Sequence, residues 1–145
     1  MIGIREAQKE DLDSIAIMEK EIFSDPYSKE VLDSGLENEF ETIAVALDES
    51  GNVLGYVIFQ DVAHEGELLR IAVKNEARKN GVGEMLLHYM VEELHSKNTD
   101  VIFLEVRASN EPALNMYEKN EFQIMGTRKG YYKNPVEDAV IMKRG

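Results

Sequence analysis

Apolar and polar residues recur along the first part of the chain with the spacing of one strand followed by two helices. Residues 2–7, I-G-I-R-E-A, alternate as a half-buried strand does. After them come apolar residues at helical spacing, with acidic residues near the helix start: Leu12, Ile15, Ala16, Ile22 and Phe23. Pro26 ends this helix, and a second helix is predicted from Lys29 to about Glu39.

The middle of the chain carries the pattern of a hairpin and a further strand. T-I-A-V-A-L (42–47) and V-L-G-Y-V-I-F (53–59) are β-rich runs joined by the turn residues D-E-S-G-N. A second turn, A-H-E-G-E (63–67), leads into the apolar run that predicts a strand at 67–73.

The second half of the chain alternates between helix and strand. A helix is predicted at about 83–97, because its apolar residues share one face: Leu86, Leu87, Met90, Val91 and Leu94. The strand D-V-I-F-L-E-V (100–106) follows, then a helix at about 111–119 and two final strands near 121–127 and 137–143.

The predicted order is β-α-α-β-β-β-α-β-α-β-β, which is typical of an α/β protein. The strand at 67–73, the helix at 83–97 and the strand at 100–106 form a β-α-β unit, which implies a parallel pair inside a mixed, mostly antiparallel sheet. No repeat, low-complexity segment or linker divides the sequence, so one domain is expected over residues 1–145.

Composition and charge narrow the classes of function. The chain has no cysteine, which excludes disulfides and a cysteine nucleophile, and a cytoplasmic protein is expected. The first residues do not resemble a signal peptide, and no apolar run is long enough to cross a membrane. The net charge of −12 opposes direct binding to nucleic acid and favours cationic partners. The alternative is that the acidic residues only keep the protein soluble.

The segment R-K-N-G-V-G (78–83) lies between a predicted strand and a predicted helix, where free N–H groups and the helix dipole favour an anion. It is not a Walker A loop, since no Lys-Ser/Thr pair follows Gly83, and Leu86 replaces the third glycine of a dinucleotide fingerprint. A pyrophosphate fits this turn. A tight turn with a basic edge and no ligand is the alternative.

The segment I-A-V-K-N-E-A-R-K-N-G-V-G-E-M-L-L (71–87) is similar to the acetyl-coenzyme A motif of the GNAT superfamily of N-acetyltransferases, which the chain resembles over nearly its whole length. L-E-V-R-A-S-N-E-P-A-L-N-M-Y-E-K-N-E-F (104–122) is similar to the signature of its ribosomal-protein-alanine N-acetyltransferase (RimI-type) branch. D-P-Y-S (25–28) resembles the Pro-Trp-Ser region of that branch, with tyrosine in place of tryptophan, and G-Y-Y (130–132) fits the branch as well.

The resemblance implies acetyl-CoA as co-substrate, with no metal, and assigns residues to it. Main-chain groups of Ile71, Ala72 and Val73 would meet the acetyl and pantetheine arm. Asn110 matches an asparagine that hydrogen-bonds the cofactor. The pyrophosphate would bind the turn formed by Arg78, Lys79, Asn80, Gly81, Val82 and Gly83. One departure is Glu121, where the family has a glycine that closes a helix; Asn120 is expected to take the left-handed geometry instead.

Acetyl transfer to an amine needs a neutral amine, a stabilised oxyanion and a protonated leaving thiolate. The resemblance assigns the base to Glu105, on the same strand face as Phe103 and Arg107, where apolar neighbours partly desolvate the carboxylate. The alternative is that Glu105 pairs with Arg107 at the end of a sheet. The proton donor is assigned to Tyr117, which could instead be a core tyrosine. The oxyanion donor is expected to be a backbone N–H near Val73.

The remaining candidate site residues are three tyrosines and three histidines. In the resembling family, loops that contain the counterparts of Tyr27, Tyr131 and Tyr132 border the acceptor site, which makes these tyrosines candidate peptide contacts. The histidines His64, His88 and His95 have no metal-ligand spacing, and the last two are expected on a solvated helix face.

Three functions remain open on the sequence alone. The first is N-α-acetylation of a protein N-terminus, for which the resemblance implies the basic, alanine-led N-terminus of a small-subunit ribosomal protein. Direct attack in a ternary complex is favoured, because a chain without cysteine cannot form a cysteinyl acyl-enzyme. The second is acetylation of a small cationic amine, such as a polyamine or an aminoglycoside. The third is a non-catalytic acetyl-CoA-binding regulatory module. A monomer or a weak homodimer is expected.

Overall fold

The computed structural model describes residues 1–145 and contains seven strands and four α-helices in the predicted order. None of the helices is both long enough and apolar enough to span a bilayer. The elements are β1 (Gly3–Glu6), α1 (Leu12–Ile22), α2 (Lys29–Glu37), β2 (Glu41–Leu47), β3 (Val53–Val62), β4 (Glu65–Val73), α3 (Val82–Ser96), β5 (Val101–Arg107), α4 (Glu111–Lys119), β6 (Gln123–Tyr132) and β7 (Glu137–Arg144).

All seven strands form one sheet in the order β1-β2-β3-β4-β5-β7-β6. Only β4 and β5 run parallel, and α3 connects them, while every other neighbouring pair is antiparallel. The α/β fold class, with a mixed, mostly antiparallel sheet around one β-α-β unit, is therefore confirmed.

Apolar residues cover both faces of the sheet. The apolar face of α3 packs on one face, together with Tyr117 of α4 and Phe122. On the other face, α1 packs on β3 and α2 on β2. The helices of this second face therefore lie over the first half of the sheet. Ile124, Met125 and Tyr131 of β6 lie at the far edge and are exposed.

Two predicted boundaries are wrong, for different reasons. The turn at 63–67 is shorter than predicted, because β3 runs to Val62 and β4 begins at Glu65; Ala63 and His64 make the two-residue turn, with φ of 53° and 67°. β6 runs to Tyr132 rather than ending near 127, so Tyr131 and Tyr132 lie in a strand and not in a loop. Most of its residues are exposed and they show no apolar alternation, which hides the strand pattern in the sequence.

The end of α4 also differs from the prediction. Asn120 has φ of −102°, and Glu121 itself adopts the left-handed conformation, with φ of 73°. Because Phe122 donates its N–H to the carbonyl of Tyr117, the chain must turn sharply at this position. Glu121 thus carries the strain that glycine would avoid.

A buried charged cluster lies between α1 and the sheet. The Glu19 carboxylate, which is fully buried, accepts hydrogen bonds from Arg70 at 2.9 Å, from the Tyr56 hydroxyl and from the Tyr27 N–H at 2.8 Å. Burial and the bond to Glu19 raise the pKa of the Tyr56 phenol, which keeps it a donor. The guanidinium of Arg70 lies between the rings of Phe23 and Tyr27, 3.9 Å and 4.1 Å from their centroids.

Replacing Glu121 tests the strain at the end of α4. Glu121→Gly and Glu121→Ala both remove the exposed contact with Arg144. Because only glycine relieves the left-handed conformation, the glycine variant should be more stable than the alanine variant by about 1 kcal/mol in urea denaturation. Equal stability of the two variants would contradict this.

Replacing Glu19 tests the buried cluster. Glu19→Ala leaves Arg70 charged and without its buried partner, so the free energy of unfolding should fall by about 3–5 kcal/mol. Glu21→Ala, at an exposed position of the same helix, is the control and should change it by less than about 0.5 kcal/mol. The measurement is urea denaturation, and a Glu19→Ala loss below about 1 kcal/mol would count against the cluster.

Candidate functional site

The parallel strands β4 and β5 pair only over their first residues. Residues 65–67 of β4 pair with residues 101–103 of β5, although β4 continues to Val73 and β5 to Arg107. An extra residue in β4, Leu69, interrupts the register with β3, where Phe59 pairs with Leu68 and Ile58 with Arg70. Such a bulge bends its strand. β4 therefore turns away from β5 and leaves a gap between the two strands.

Backbone groups of β4 face this gap. Lys74 donates its N–H to the carbonyl of Leu54 on β3, at 2.8 Å. Because hydrogen bonding alternates along an antiparallel pair, the peptide groups of Ile71 and Val73 face the gap. Those of Ala72 face β3, so Ala72, which was also expected to meet the acetyl and pantetheine arm, offers the gap no backbone group. The Nε of Arg78 donates a hydrogen bond to the Val73 carbonyl at 3.2 Å. The N–H groups of Ile71 and Val73 remain as free donors beside β5.

The turn at 78–83 leads from β4 into α3 and presents a row of unpaired donors. The backbone N–H groups of residues 79–84 form no hydrogen bond within the protein. Lys79 and Gly81 are left-handed, with φ of 69° and 78°, which curls the chain so that successive N–H groups converge. A Cβ at Gly81 would meet no atom within 4 Å, so its surroundings are open. The geometry suits a phosphate group at the positive end of a 15-residue helix.

α4 closes the side of the gap that α3 covers. Asn110 caps α4, with Oδ1 accepting from the Ala113 N–H at 3.3 Å, which leaves its amide NH₂ free for a ligand. Tyr117 is buried in the core of this face, and its hydroxyl makes no hydrogen bond within the protein. Burial, and then the neighbouring Tyr132, raise the pKa of the Tyr117 phenol. The phenol is therefore protonated at any physiological pH, as a proton donor must be.

Glu105 lies in the part of β5 that no longer pairs with β4. The strand alternates as predicted: Leu104 and Val106 point into the α3 core, so Glu105 points to the opposite face. The Nε atom of Arg128 lies 2.8 Å from Oε2 of Glu105, but the two do not form an aligned hydrogen bond, and Oε2 is shielded from solvent. The charge of Glu105 raises the pKa of the Tyr131 phenol.

Arg107 does not pair with Glu105, which removes that alternative for the carboxylate. Its guanidinium contacts Glu137 at 3.3 Å and the carbonyls of Lys133 and Pro135 at 3.1 Å. It also lies 4.5 Å from the ring centroid of Tyr132. Arg107 thereby fixes the turn between β6 and β7. Burial and the charge of Glu105 raise the pKa of Tyr132 to about 12.

The predicted acceptor tyrosines meet around Glu105 and Arg70. Tyr131 and Tyr132 pack edge to face, 5.0 Å apart, at the end of β6, and Tyr27 stacks on Arg70. Arg128, Arg70 and Glu19 are the polar residues that the sequence analysis missed. Glu19 could have been found from its spacing, since it follows Leu12 and Ile15 on the apolar face of α1.

Comparisons with known proteins agree with this architecture. Residues 9–122 match the Acetyltransferase (GNAT) family. The ribosomal protein bS18-alanine N-acetyltransferase of Escherichia coli (strain K12) is 30% identical over 144 residues, covering 98% of this chain and 96% of that protein. The crystal structure of the Escherichia coli ribosomal-protein-S18-alanine N-acetyltransferase superposes with a TM-score of 0.90 at 29% identity, covering 99% of this chain and 93% of that one.

A second solved structure was determined with ligands. The NatC complex bound to Gag peptide and CoA contains a chain that superposes with a TM-score of 0.89 at 25% identity, covering 99% of this chain and 97% of that one. The family match spans most of the sequence, and the relatives align from end to end. The chain therefore belongs to the GNAT family of acetyltransferases and is an N-acetyltransferase.

Proposed function

We propose that residues 1–145 act as one domain that transfers acetyl from acetyl-CoA to the N-terminal α-amine of a protein. The proposed substrate is the basic, alanine-led N-terminus of a small-subunit ribosomal protein. The observation that carries the proposal is the gap between β4 and β5, with free N–H donors on one side and the Glu105 carboxylate on the other. The names of the relatives support it, because alanine has no amine other than its α-amine.

Acetyl-CoA supplies the thioester, and the chain offers a fitting set of donors for it. The unpaired N–H groups of residues 79–84 suit the pyrophosphate, with Arg78, Lys79 and Lys74 adding positive charge nearby. The peptide groups of Ile71 and Val73 suit the amide-bearing pantetheine arm. The free amide NH₂ of Asn110 adds a donor at the start of α4.

Glu105 acts as the base that removes a proton from the acceptor amine. In the free protein its partner is Arg128, whose side chain is 60% exposed, against 22% for Glu105. An exposed guanidinium loses little when it moves into water. The substrate ammonium group takes the place of Arg128 beside the carboxylate, gives up its proton to Glu105 and attacks as a neutral amine.

Tyr117 and Val73 serve the other two needs of the reaction. Tyr117 lies on the α3 face of the sheet and Glu105 on the opposite face, so the gap is where groups from both faces reach one substrate. Tyr117 donates its phenolic proton to the departing thiolate, and the second proton, which the nitrogen loses as the amide forms, returns the phenolate to the phenol. The free Val73 N–H donates to the developing oxyanion. Tyr27, Tyr131 and Tyr132 contact the acceptor peptide.

A substitution at Gly83 tests the pyrophosphate site. A Cβ there would contact Met116 and Val73 at 3.6–3.7 Å, an ordinary packing distance, so the chain should still fold. Gly83→Val should weaken acetyl-CoA binding by about 100-fold or more, through loss of two hydrogen bonds to a charged group at about 1.5–3 kcal/mol each. Gly3→Val, where a Cβ meets nothing within 4 Å, is the control in the same calorimetric titration. Unchanged affinity in folded Gly83→Val would move the site elsewhere.

A substitution at Glu105 tests the base. Glu105→Gln should lower kcat/KM by about 10²–10⁴-fold at neutral pH. Raising the pH should restore part of the activity, because solvent then deprotonates the amine. Glu67 lines the same surface depression as Glu105 and Arg128, so Glu67→Gln removes another carboxylate from it and should leave kcat/KM within about threefold of the wild type. Full activity of Glu105→Gln at neutral pH, in a steady-state thiol-release assay, would exclude Glu105 as the base.

The site of acetylation follows from proton costs. An α-amine has a pKa of about 7.7–8.0 and lysine about 10.4, so at pH 7 neutralising the α-amine costs about 1 kcal/mol and lysine about 4.6 kcal/mol. Blocking the terminus of a basic alanine-led peptide should lower kcat/KM at least about 100-fold, even with its lysines free. Added salt should lower the rate, since it screens the attraction between the acidic enzyme and a basic peptide.

Tandem mass spectrometry of the product decides the assignment. Acetyl on the α-amine is the expected result. Acetyl found mainly on lysine side chains, or comparable turnover of a polyamine, would reject the N-terminal assignment and leave acetyl transfer standing.

A further inference from the structure

A cavity of about 260 Å³ lies under α2, between that helix and the sheet strands β2 to β4. Its apolar wall consists of Val31, Leu32, Ile58 and Leu69. The carboxylate of Glu41, at the start of β2, is its only charged group.

Glu41 has no partner in the protein. The other shielded carboxylates described above have arginine partners: Glu19 pairs with Arg70, Glu105 with Arg128 and Glu137 with Arg107. Glu41 takes part in no ion pair or side-chain hydrogen bond, although burial raises its pKa. A partly buried carboxylate without a partner loses hydration and gains no ion pair in return, so it would be stabilised by a cation from outside the chain.

A glycine in α2 leaves room for the Glu41 carboxylate. Gly35 lies inside α2, where glycine is less stable than alanine. A Cβ on Gly35 would overlap Oε2 of Glu41. The glycine therefore keeps open the place that the carboxylate occupies.

The cavity borders the proposed acceptor site. Tyr27 forms part of its wall and also stacks on Arg70, 4.1 Å from the guanidinium carbon. Leu69, another residue of the wall, is the bulged residue that precedes Arg70 and opens the gap between β4 and β5. The charge of Glu41 is among the causes that raise the pKa of Tyr27, which places the two groups close together.

We propose that this cavity is a specificity subsite, in which Glu41 binds the cationic side chain of a lysine or arginine close to the N-terminus of the acceptor peptide. The aliphatic stem of such a side chain matches the apolar wall, and its charged end reaches the carboxylate. A divalent cation would need several more oxygen ligands than Glu41 supplies. This inference rests on the proposed N-terminal acetylation.

A set of alanine-led peptides tests the subsite. Each peptide carries a single lysine at its second, third or fourth position and is compared with the same peptide carrying glutamine there. The wild type should prefer lysine at one of these positions by about tenfold or more in kcat/KM, as expected for one hydrogen bond to a charged group. Glu41→Gln should abolish that preference and leave acetyl-CoA affinity unchanged. Glu39→Gln, an exposed carboxylate two residues away, should keep the preference.

A second variant keeps the charge of Glu41 but moves it out of its position in the cavity. Gly35→Ala displaces the Glu41 side chain and should lose the lysine preference, while the melting temperature stays the same or rises because alanine favours the helix. Glu41→Gln should also raise the melting temperature at pH 7 and not at pH 4. The sign follows because burial raises the pKa of the Glu41 carboxyl in the folded state, so this group lowers stability as the pH rises above its unfolded-state pKa. The cost is absent at pH 4, where the carboxyl is protonated in both states, and present at pH 7.

The outcomes separate the subsite from the activity. If the wild type acetylates the α-amine and Glu41→Gln keeps the full lysine preference, the subsite is wrong and the proposed function stands. If no peptide is acetylated, the proposed function is wrong, and calorimetric titration with N-acetylated lysine and glutamine peptides decides the subsite. If the wild type and Glu41→Gln each bind the lysine and glutamine peptides equally well, the subsite is wrong. If the wild type binds the lysine peptide more tightly and Glu41→Gln loses this preference, the subsite is supported.

Discussion

The parting of β4 from β5 is the constraint on which the rest of the site depends. Two parallel strands would normally satisfy each other's peptide groups along their whole length. Here pairing ends after residue 67 on one strand and 103 on the other, because Leu69 bulges out of β4. Backbone donors are left facing a gap, and a peptide-like ligand arm can complete the interrupted pairing. The same bend directs β4 toward the turn at 78–83, where the next free donors lie.

The three arginines around the candidate site differ in how firmly they are held: Arg70 and Arg107 are shielded, and Arg128 is exposed. Arg70 is held by the buried Glu19 and stacks on Tyr27, and Arg107 holds the turn after Tyr132. Their side chains are 13% and 27% exposed, against 60% for Arg128, the partner of Glu105. The aromatic borders of the proposed acceptor site are thus fixed by shielded ion pairs. The candidate base is paired with the one arginine that moves at little cost, which suits a carboxylate that must receive a cationic substrate.

Helices and strands could be predicted from the sequence where buried and exposed residues alternate strongly. Site residues could be predicted where the residues that act together are close in the sequence. The periodicity around Leu86 and Leu94 located α3, and the V-I-F-L-E-V run located β5 with Glu105 on its correct face. The strand at Tyr131 and Tyr132 was misjudged because an exposed edge strand needs no apolar alternation. The bulge at Leu69 has no local sequence signal. The pairs Glu19–Arg70 and Glu105–Arg128 join residues far apart in the chain, so only the fold shows them.

Amide hydrogen exchange with and without coenzyme A tests the central claim most directly. In the free protein the N–H groups of Ile71, Val73 and residues 79–84 should exchange quickly, since they have no acceptor. Ala72, which is bonded to β3, should exchange slowly in both states. Coenzyme A should slow exchange at the free groups and leave Ala72 unchanged. Slow exchange at Ile71 and Val73 before the ligand is added, or no change at residues 79–84 after it, would contradict the view that interrupted strand pairing creates the site.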